Sequence, residues 1–61
     1  MKDRIKVILV DDHAVVRAGF RMLLSTEDTI EVIAEAERGE QACQLYLEKK
    51  PDVILQLIRT N

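Results

Sequence analysis

Ile5-Lys6-Val7-Ile8-Leu9-Val10 is a short, β-branched, nearly continuous apolar run, and it stops on Asp11-Asp12. A strand with one wet face alternates apolar and polar residues, so an unbroken run of this length predicts a strand buried on both faces. Asp12 is suited to cap a helix that follows, because a carboxylate there accepts hydrogen bonds from the free N–H groups of the first turn and meets the positive end of the helix dipole. That helix is expected from His13 to Ser25. Val15, Ala18, Gly19, Met22 and Leu23 fall at i, i+3, i+4, i+7 and i+8, with Val16, Phe20 and Leu24 widening the stripe. His13, Arg17 and Arg21 make a polar column expected to face solvent. Gly19 costs about 1 kcal/mol against alanine inside a helix, and close packing of the backbone on the sheet is the expected reason for it.

The tetrad Thr26-Glu27-Asp28-Thr29 has the length of a connection. Beyond it Ile30, Val32, Ala34 and Ala36 alternate with Glu31, Ile33, Glu35 and Glu37, a period of two that predicts a second strand with an acidic face suited to a sheet edge. Arg38-Gly39 breaks the alternation, and a second helical pattern runs from Glu40 to Lys49 through Ala42, Leu45 and Tyr46. Lys49-Lys50 complement its negative end and Pro51 stops it. Val53-Ile54-Leu55-Gln56-Leu57-Ile58 is a third apolar run of strand length. The order is βαβαβ, with connections long enough for parallel crossovers. Right-handed crossovers then give an α/β fold: a three-stranded parallel sheet ordered 2-1-3 with one helix on each face. The first strand is central, and the carboxyl ends of the first and third strands flank the topological switch point where open α/β sheets take their ligands. Asp11 and Asp12 stand there.

Sixty-one residues make one domain, 1–61, and a chain of this size buries only about 60% of its unfolded surface. Disulfides, a structural metal or self-association usually supplement so small a core. The single cysteine, Cys43, cannot close an intrachain disulfide, and one histidine with one cysteine cannot build a structural zinc site. Association with a second copy is the expected remedy. Apolar residues at 48% and charged residues at 33%, with only two glycines and one proline, mark a globular chain rather than a disordered one. Nine basic and eleven acidic residues without a basic run lack the clustered positive footprint of nucleic-acid binders. The apolar N-terminal run is too short for a signal peptide or a membrane span, so a cytoplasmic chain with a reduced thiol is expected.

Two carboxylates at a strand's carboxyl end, beside a helix N-terminus, suit a hard divalent cation such as Mg²⁺, which takes oxygen ligands and keeps several waters. The same pair also reads as a turn and helix cap with no metal. The residues alone leave both readings open. His13 is either an outer ligand or acid/base at that site, or a solvent-facing residue of the first turn. Cys43 has no flanking thiol and reads as an inert thiol in or near the core. Phe20 and Tyr46 are too far apart for a local stacking platform and read as core packing. No nucleophile, general base or phosphate-cradling glycine loop accompanies the acidic pair, so the chain is not expected to be an enzyme.

Taken together, Val10-Asp11-Asp12-His13, then Val16-Arg17, Gly19 and Met22-Leu23-Leu24, then Ala36-Glu37-Arg38-Gly39-Glu40-Gln41-Ala42, then Lys50-Pro51-Asp52-Val53-Ile54-Leu55 closely resemble the first half of a bacterial two-component response-regulator receiver domain. The subgroup they resemble most carries a C-terminal helix-turn-helix for DNA binding. Residues 5–55 are covered, with several motifs in order at the right intervals. The resemblance implies a flavodoxin-like fold, phosphorelay signal transduction with a sensor histidine kinase as partner, and transcription regulation by the full-length family members. It also implies that Asp11 and Asp12 match the family's Mg²⁺-binding acidic pair.

One departure from the family bears on chemistry. In such receivers the third strand ends in the phosphoacceptor aspartate, two residues after the position of Leu55, where this chain has Leu57. Leucine has no carboxylate to attack a phosphoryl donor or to complete a cation's anionic shell. Phosphorylation is therefore not expected there, and Asp11 with Asp12 would form only a weak Mg²⁺ site. Gln56, Ile58, Arg59, Thr60 and Asn61 supply no side-chain carboxylate either. Asp52 is the nearest, roughly 15 Å from the strand's carboxyl end at ~3.3 Å per residue, and reads as a surface residue of the helix-to-strand turn. The chain is thus expected to be a truncated receiver without the family's later strands and helices, without its DNA-binding domain, and without direct DNA contact. The alternative is a self-associating module, a homodimer joined through the exposed edge of the third strand.

Overall fold

The computed structural model describes residues 3–57 and contains β1 (Ile5–Val10), α1 (Ala14–Leu24), β2 (Ile30–Ala36), α2 (Gly39–Lys49) and β3 (Val53–Gln56). All three strands are parallel in one sheet ordered β2-β1-β3, the α/β arrangement that the βαβαβ pattern predicts. β1 is the hub. Val7, Ile8, Leu9 and Val10 are buried, Ile8 and Leu9 completely, because strands flank both edges and helices cover both faces. Ile8 and Val10 pack with Ala36 of β2 and Ala42 of α2, and Ile33, Ala34 and Leu45 close around them. Val7 and Leu9, out of step by one residue, point to the opposite face, where α1 lies on β2 and β1.

Register is fixed differently on the two sides of β1. Towards β3, the Asp52 carboxylate accepts the Lys6 N–H at 2.8 Å, and the Asp52 N–H donates to the Lys6 carbonyl at 2.8 Å. This exposed turn aspartate thereby starts the pairing that runs from Val7 with Val53 to Val10 with Gln56. Ile58, which the apolar run assigns to the third strand, lies outside the described residues. Towards β2, Val7 pairs with Val32 but Ile8 pairs with Ala34, so a bulge falls at Ile33. One extra residue inverts the side-chain alternation. Ile33 and Ala34 consequently both pack on the α2 face, whereas Glu35, opposite Leu9, turns towards α1. Strict alternation puts Ile33 on one face with Glu31 and Glu35; the bulge leaves Ile33 on that face, brings Ala34 and Ala36 over to it and turns Glu35 away from it.

The bulge bears on how α1 packs, because it turns Glu35 towards that helix. Among the described residues none of α1 is fully buried, and its half-buried positions are Val16, Arg17, Ala18 and Leu24. Val15, Met22 and Leu23 stay open to solvent, with Val15 85% exposed. Of the expected apolar stripe, Val16, Ala18 and Leu24 are thus half-buried, while Val15, Met22 and Leu23 are not. Arg17, expected in solvent, is drawn onto the sheet by Glu35. Asp12 does not cap α1 either: the N-cap is His13, extended at φ −104° and ψ 112°, and it is the Asp11 carboxylate that accepts the His13 N–H at 2.8 Å. On the other face Ala42 and Leu45 suffice to cover the sheet, which leaves Cys43 and Tyr46 exposed rather than in the core. Phe20 is likewise exposed. No helix among the described residues is long and apolar enough to cross a membrane.

Gly19 is exposed, and a β-carbon built there meets no described atom within 4 Å, so close packing is not its reason. Gly19→Ala is expected to stabilise the fold by about 1 kcal/mol through helix propensity and loss of unfolded-state freedom. In a domain of this size that raises the melting temperature by about 4–8 °C, measurable by circular dichroism. A lower melting temperature would place an atom against this position. Lys50, at the end of α2, is held in the left-handed region at φ 48°. Lys50→Gly should relieve about 1 kcal/mol of backbone strain, seen as a higher denaturation midpoint.

Candidate functional site

The carboxyl ends of the strands meet at one corner of the sheet. Asp11 continues β1 by donating its N–H to the Ala36 carbonyl at 3.0 Å, and Leu57 continues β3 by donating its N–H to the Val10 carbonyl at 3.1 Å. Carrying the register of β1 and β3 one residue past Val10 and Gln56 sets Leu57 beside Asp11. Carrying the β1 and β2 register past Val10 and Ala36 brings Glu37 to the other side. A cavity of about 600 Å³ opens here, lined by Asp11, Asp12, His13, Leu57, Glu37 and Arg38. It is the switch-point crevice that a parallel sheet ordered 2-1-3 is expected to have. Asp11, Asp12 and Leu57, the positions singled out in the sequence, all border it.

The two aspartates differ sharply in setting. The Asp11 side chain is fully buried, while those of Asp12 and His13 are 67% and 62% exposed. Turning the chain out of β1 puts the Asp11 carboxylate under the His13 N–H, a local bond that replaces the sheet partner lost at the strand end. His13 Nδ1 then lies 2.9 Å from Asp12 Oδ1 and 3.9 Å from Asp11 Oδ1. One ligand atom from each of the three residues falls within 4.8 Å of the others. The donor chemistry sorts them: carboxylate oxygens suit Mg²⁺, whereas an imidazole nitrogen suits zinc, copper or iron. Asp11 and Asp12 therefore fit a hydrated hard cation, His13 orients Asp12, and Leu57 adds an apolar wall where no side-chain oxygen is offered. Glu37 and Arg38 complete the rim, and the Gln41 side chain holds the Glu37 N–H at 2.8 Å from the first turn of α2.

Reasoning from sequence gave Arg17 and Glu35 no part in the site, placing Arg17 in a solvent-facing column and Glu35 on an acidic edge face. Arg17 Nε donates to Glu35 Oε1 at 3.0 Å, Arg17 Nη1 donates to the Asp11 carbonyl oxygen, and Arg21 Nη1 donates to Glu35 Oε2 at 3.0 Å. The Arg17 side chain is only 17% exposed and that of Glu35 26%. A signal was present: Glu35 stands between two alanines in a strand, and Arg17 and Arg21 are spaced one helical turn apart.

Residues 7–59 match the family model described as response regulator receiver domain. The chain is 50% identical over 50 residues to the oxygen regulatory protein NreC of Staphylococcus aureus (strain JH9), covering 82% of this chain and 23% of that protein. It is 48% identical over 50 residues to the protein of the same name from Staphylococcus haemolyticus, with the same coverage. The chain thus spans about a quarter of the length of the curated relatives it matches.

Burial separates the two aspartates energetically. Asp11→Ala strips the acceptor from the His13 N–H at a buried position and is expected to cost about 1–3 kcal/mol. Asp12→Ala alters an exposed side chain and should stay within about 0.5 kcal/mol. Urea denaturation of the two variants checks this, and equal losses would mean that the Asp11 carboxylate has no special role in the turn.

Proposed function

The chain belongs to the response regulator receiver domain family, and on that premise we propose that it is a phosphorelay module with its phosphoacceptor position closed by Leu57. The observation that carries this reading is the register of β1 and β3, which sets Leu57 beside the buried Asp11 at the mouth of the crevice. Receivers are signalling modules that accept phosphoryl groups from sensor histidine kinases, and a kinase of that class is the partner assigned to this surface. Asp11 and Asp12 would hold Mg²⁺, which when bound offsets the negative charge of an incoming phosphoryl group. Two carboxylates without a third hold it weakly. Leu57 offers no oxygen to form an acyl phosphate, so transfer stops at recognition. The module is assigned to the cytoplasm, to transcription regulation through the longer protein to which such a receiver belongs, and to no DNA contact of its own.

A second reading, self-association, is favoured by the far edge of β3. No strand pairs with that edge among the described residues, and Val53 and Ile54 are 46% and 41% exposed on it. Antiparallel pairing of two such edges across a two-fold axis would extend the sheet. Analytical ultracentrifugation at micromolar concentration should then show a species near twice 7.0 kDa that Ile54→Lys dissociates. A folded monomer at all concentrations would dismiss this reading.

Treatment with acetyl phosphate and Mg²⁺ is expected to give no acid-labile adduct of roughly 80 Da, the mass of one phosphoryl group, by mass spectrometry. Such an adduct on any aspartate would overturn the closed-acceptor reading. Leu57→Asp adds a third carboxylate beside Asp11 and should tighten Mg²⁺ binding about tenfold, or about 1.4 kcal/mol, in a calorimetric titration. Unchanged affinity would remove position 57 from the site.

A further inference from the structure

We propose that Arg17 is a positioning residue for the acidic pair, held in place by Glu35 and setting the peptide that joins Asp11 to Asp12. A peptide unit is planar, so the Asp11 carbonyl and the Asp12 N–H turn together. The Asp11 N–H is fixed by the Ala36 carbonyl and its side chain by the His13 N–H. Its carbonyl is the remaining handle, and Arg17 Nη1 donates to it from the first turns of α1. Fixing that oxygen fixes the direction in which the chain leaves β1, and with it the point from which the Asp12 side chain departs.

Arginine suits the task because its planar fork presents donors along two directions at once. Here Nη1 takes the Asp11 carbonyl while Nε takes Glu35 Oε1 at 3.0 Å. Glu35 is itself held through its second oxygen by Arg21 Nη1 at 3.0 Å. Each carboxylate oxygen thus carries one guanidinium, and the Arg17 side chain has little room, being 17% exposed. A lysine would offer a point charge and could not hold both acceptors in the same plane. Glu35 reaches this face only because the bulge at Ile33 inverts the alternation of β2. The bulge in an edge strand is therefore coupled to the geometry of the crevice, through two side chains that do not themselves offer a ligand.

Amide hydrogen exchange of the 61-residue chain tests this directly, with Mg²⁺ titration as a second arm that rests on the acidic pair being the cation site. In Arg17→Met the His13 amide, which donates to Asp11, is expected to exchange at least about fivefold faster while the buried Ile8 and Leu9 amides keep their protection. Glu35→Ala should reproduce much of the effect, and Glu35→Gln, which retains an acceptor for Nε, should restore it. A general loss of stability would speed Ile8 and Leu9 together with His13, so a purely structural role predicts a different pattern. In the second arm the half-saturating Mg²⁺ concentration should rise at least about threefold in Arg17→Met relative to the unaltered chain. An unaltered chain that shows no response to Mg²⁺ defeats the cation-site reading, and the exchange arm still decides the role of Arg17. Unchanged His13 exchange in Arg17→Met with Ile8 and Leu9 protected, or equal acceleration at all three amides, overturns the proposal.

Discussion

The double burial of β1 is the constraint on which the rest depends. A strand hydrogen-bonded along both edges and covered on both faces leaves no polar group to water and no apolar group exposed, so only an unbroken run such as Val7 to Val10 can occupy it. The run ends where the chemistry changes. Asp11 still donates its N–H to β2, yet its carboxylate is already engaged with the turn, and the next two side chains are largely in solvent. A sheet whose central strand terminates on carboxylates, between two neighbours that terminate at the same level, has its polar crevice specified by the same residues that specify its core.

How far this was legible in the sequence depends on which physical signal each feature rests on. Strand order, parallel pairing and the corner where Asp11 and Asp12 meet Leu57 follow from periodicity and crossover handedness, both strong and local to read. The packed face of α1 does not. Its expected stripe, centred on Val15, Ala18, Gly19, Met22 and Leu23 and widened by Val16, Phe20 and Leu24, is half-buried only at Val16, Ala18 and Leu24, and Arg17 is half-buried with them. Periodicity measures which residues are apolar, whereas packing is decided by what the opposing surface offers. Glu35 offers a carboxylate there, and a guanidinium answers it.

The bulge at Ile33 is the point at which strand periodicity itself misleads. Ile30 to Ala36 reads as clean alternation, with one isoleucine out of place among the glutamates. That isoleucine is the clue: an apolar residue at a nominally acidic position is satisfied if one extra residue is inserted, because everything after it then changes sides. Ile33 packs on the α2 cluster, Ala34 and Ala36 cross over to join it, and Glu35 faces α1. An acidic edge face expected to repel other chains thus becomes, in part, the anchor of an arginine that contacts the main chain at the crevice. The capping error at Asp12 has a different origin: residue preference names candidates for a cap, and the path of the chain out of β1 makes His13 the N-cap, with its N–H on the Asp11 carboxylate.

Leu57 shows why scaffold and chemistry can separate at such a site. The buried Asp11 is stabilised by the His13 N–H, its backbone by Ala36 and Arg17, and none of these partners comes from β3. β3 is joined to β1 through main-chain bonds, from the Asp52 clamp on Lys6 to the Leu57 N–H on Val10, and those bonds are indifferent to the side chain at position 57. A leucine there leaves the register and the acidic pair as they are while adding an apolar wall to the crevice. On the proposed reading, the geometry for gathering a cation and a phosphoryl donor is built from β1, α1 and β2, and the group that would react is supplied separately by β3. On that reading, a leucine at position 57 removes the reacting group while the acidic pair and its supports stay in place.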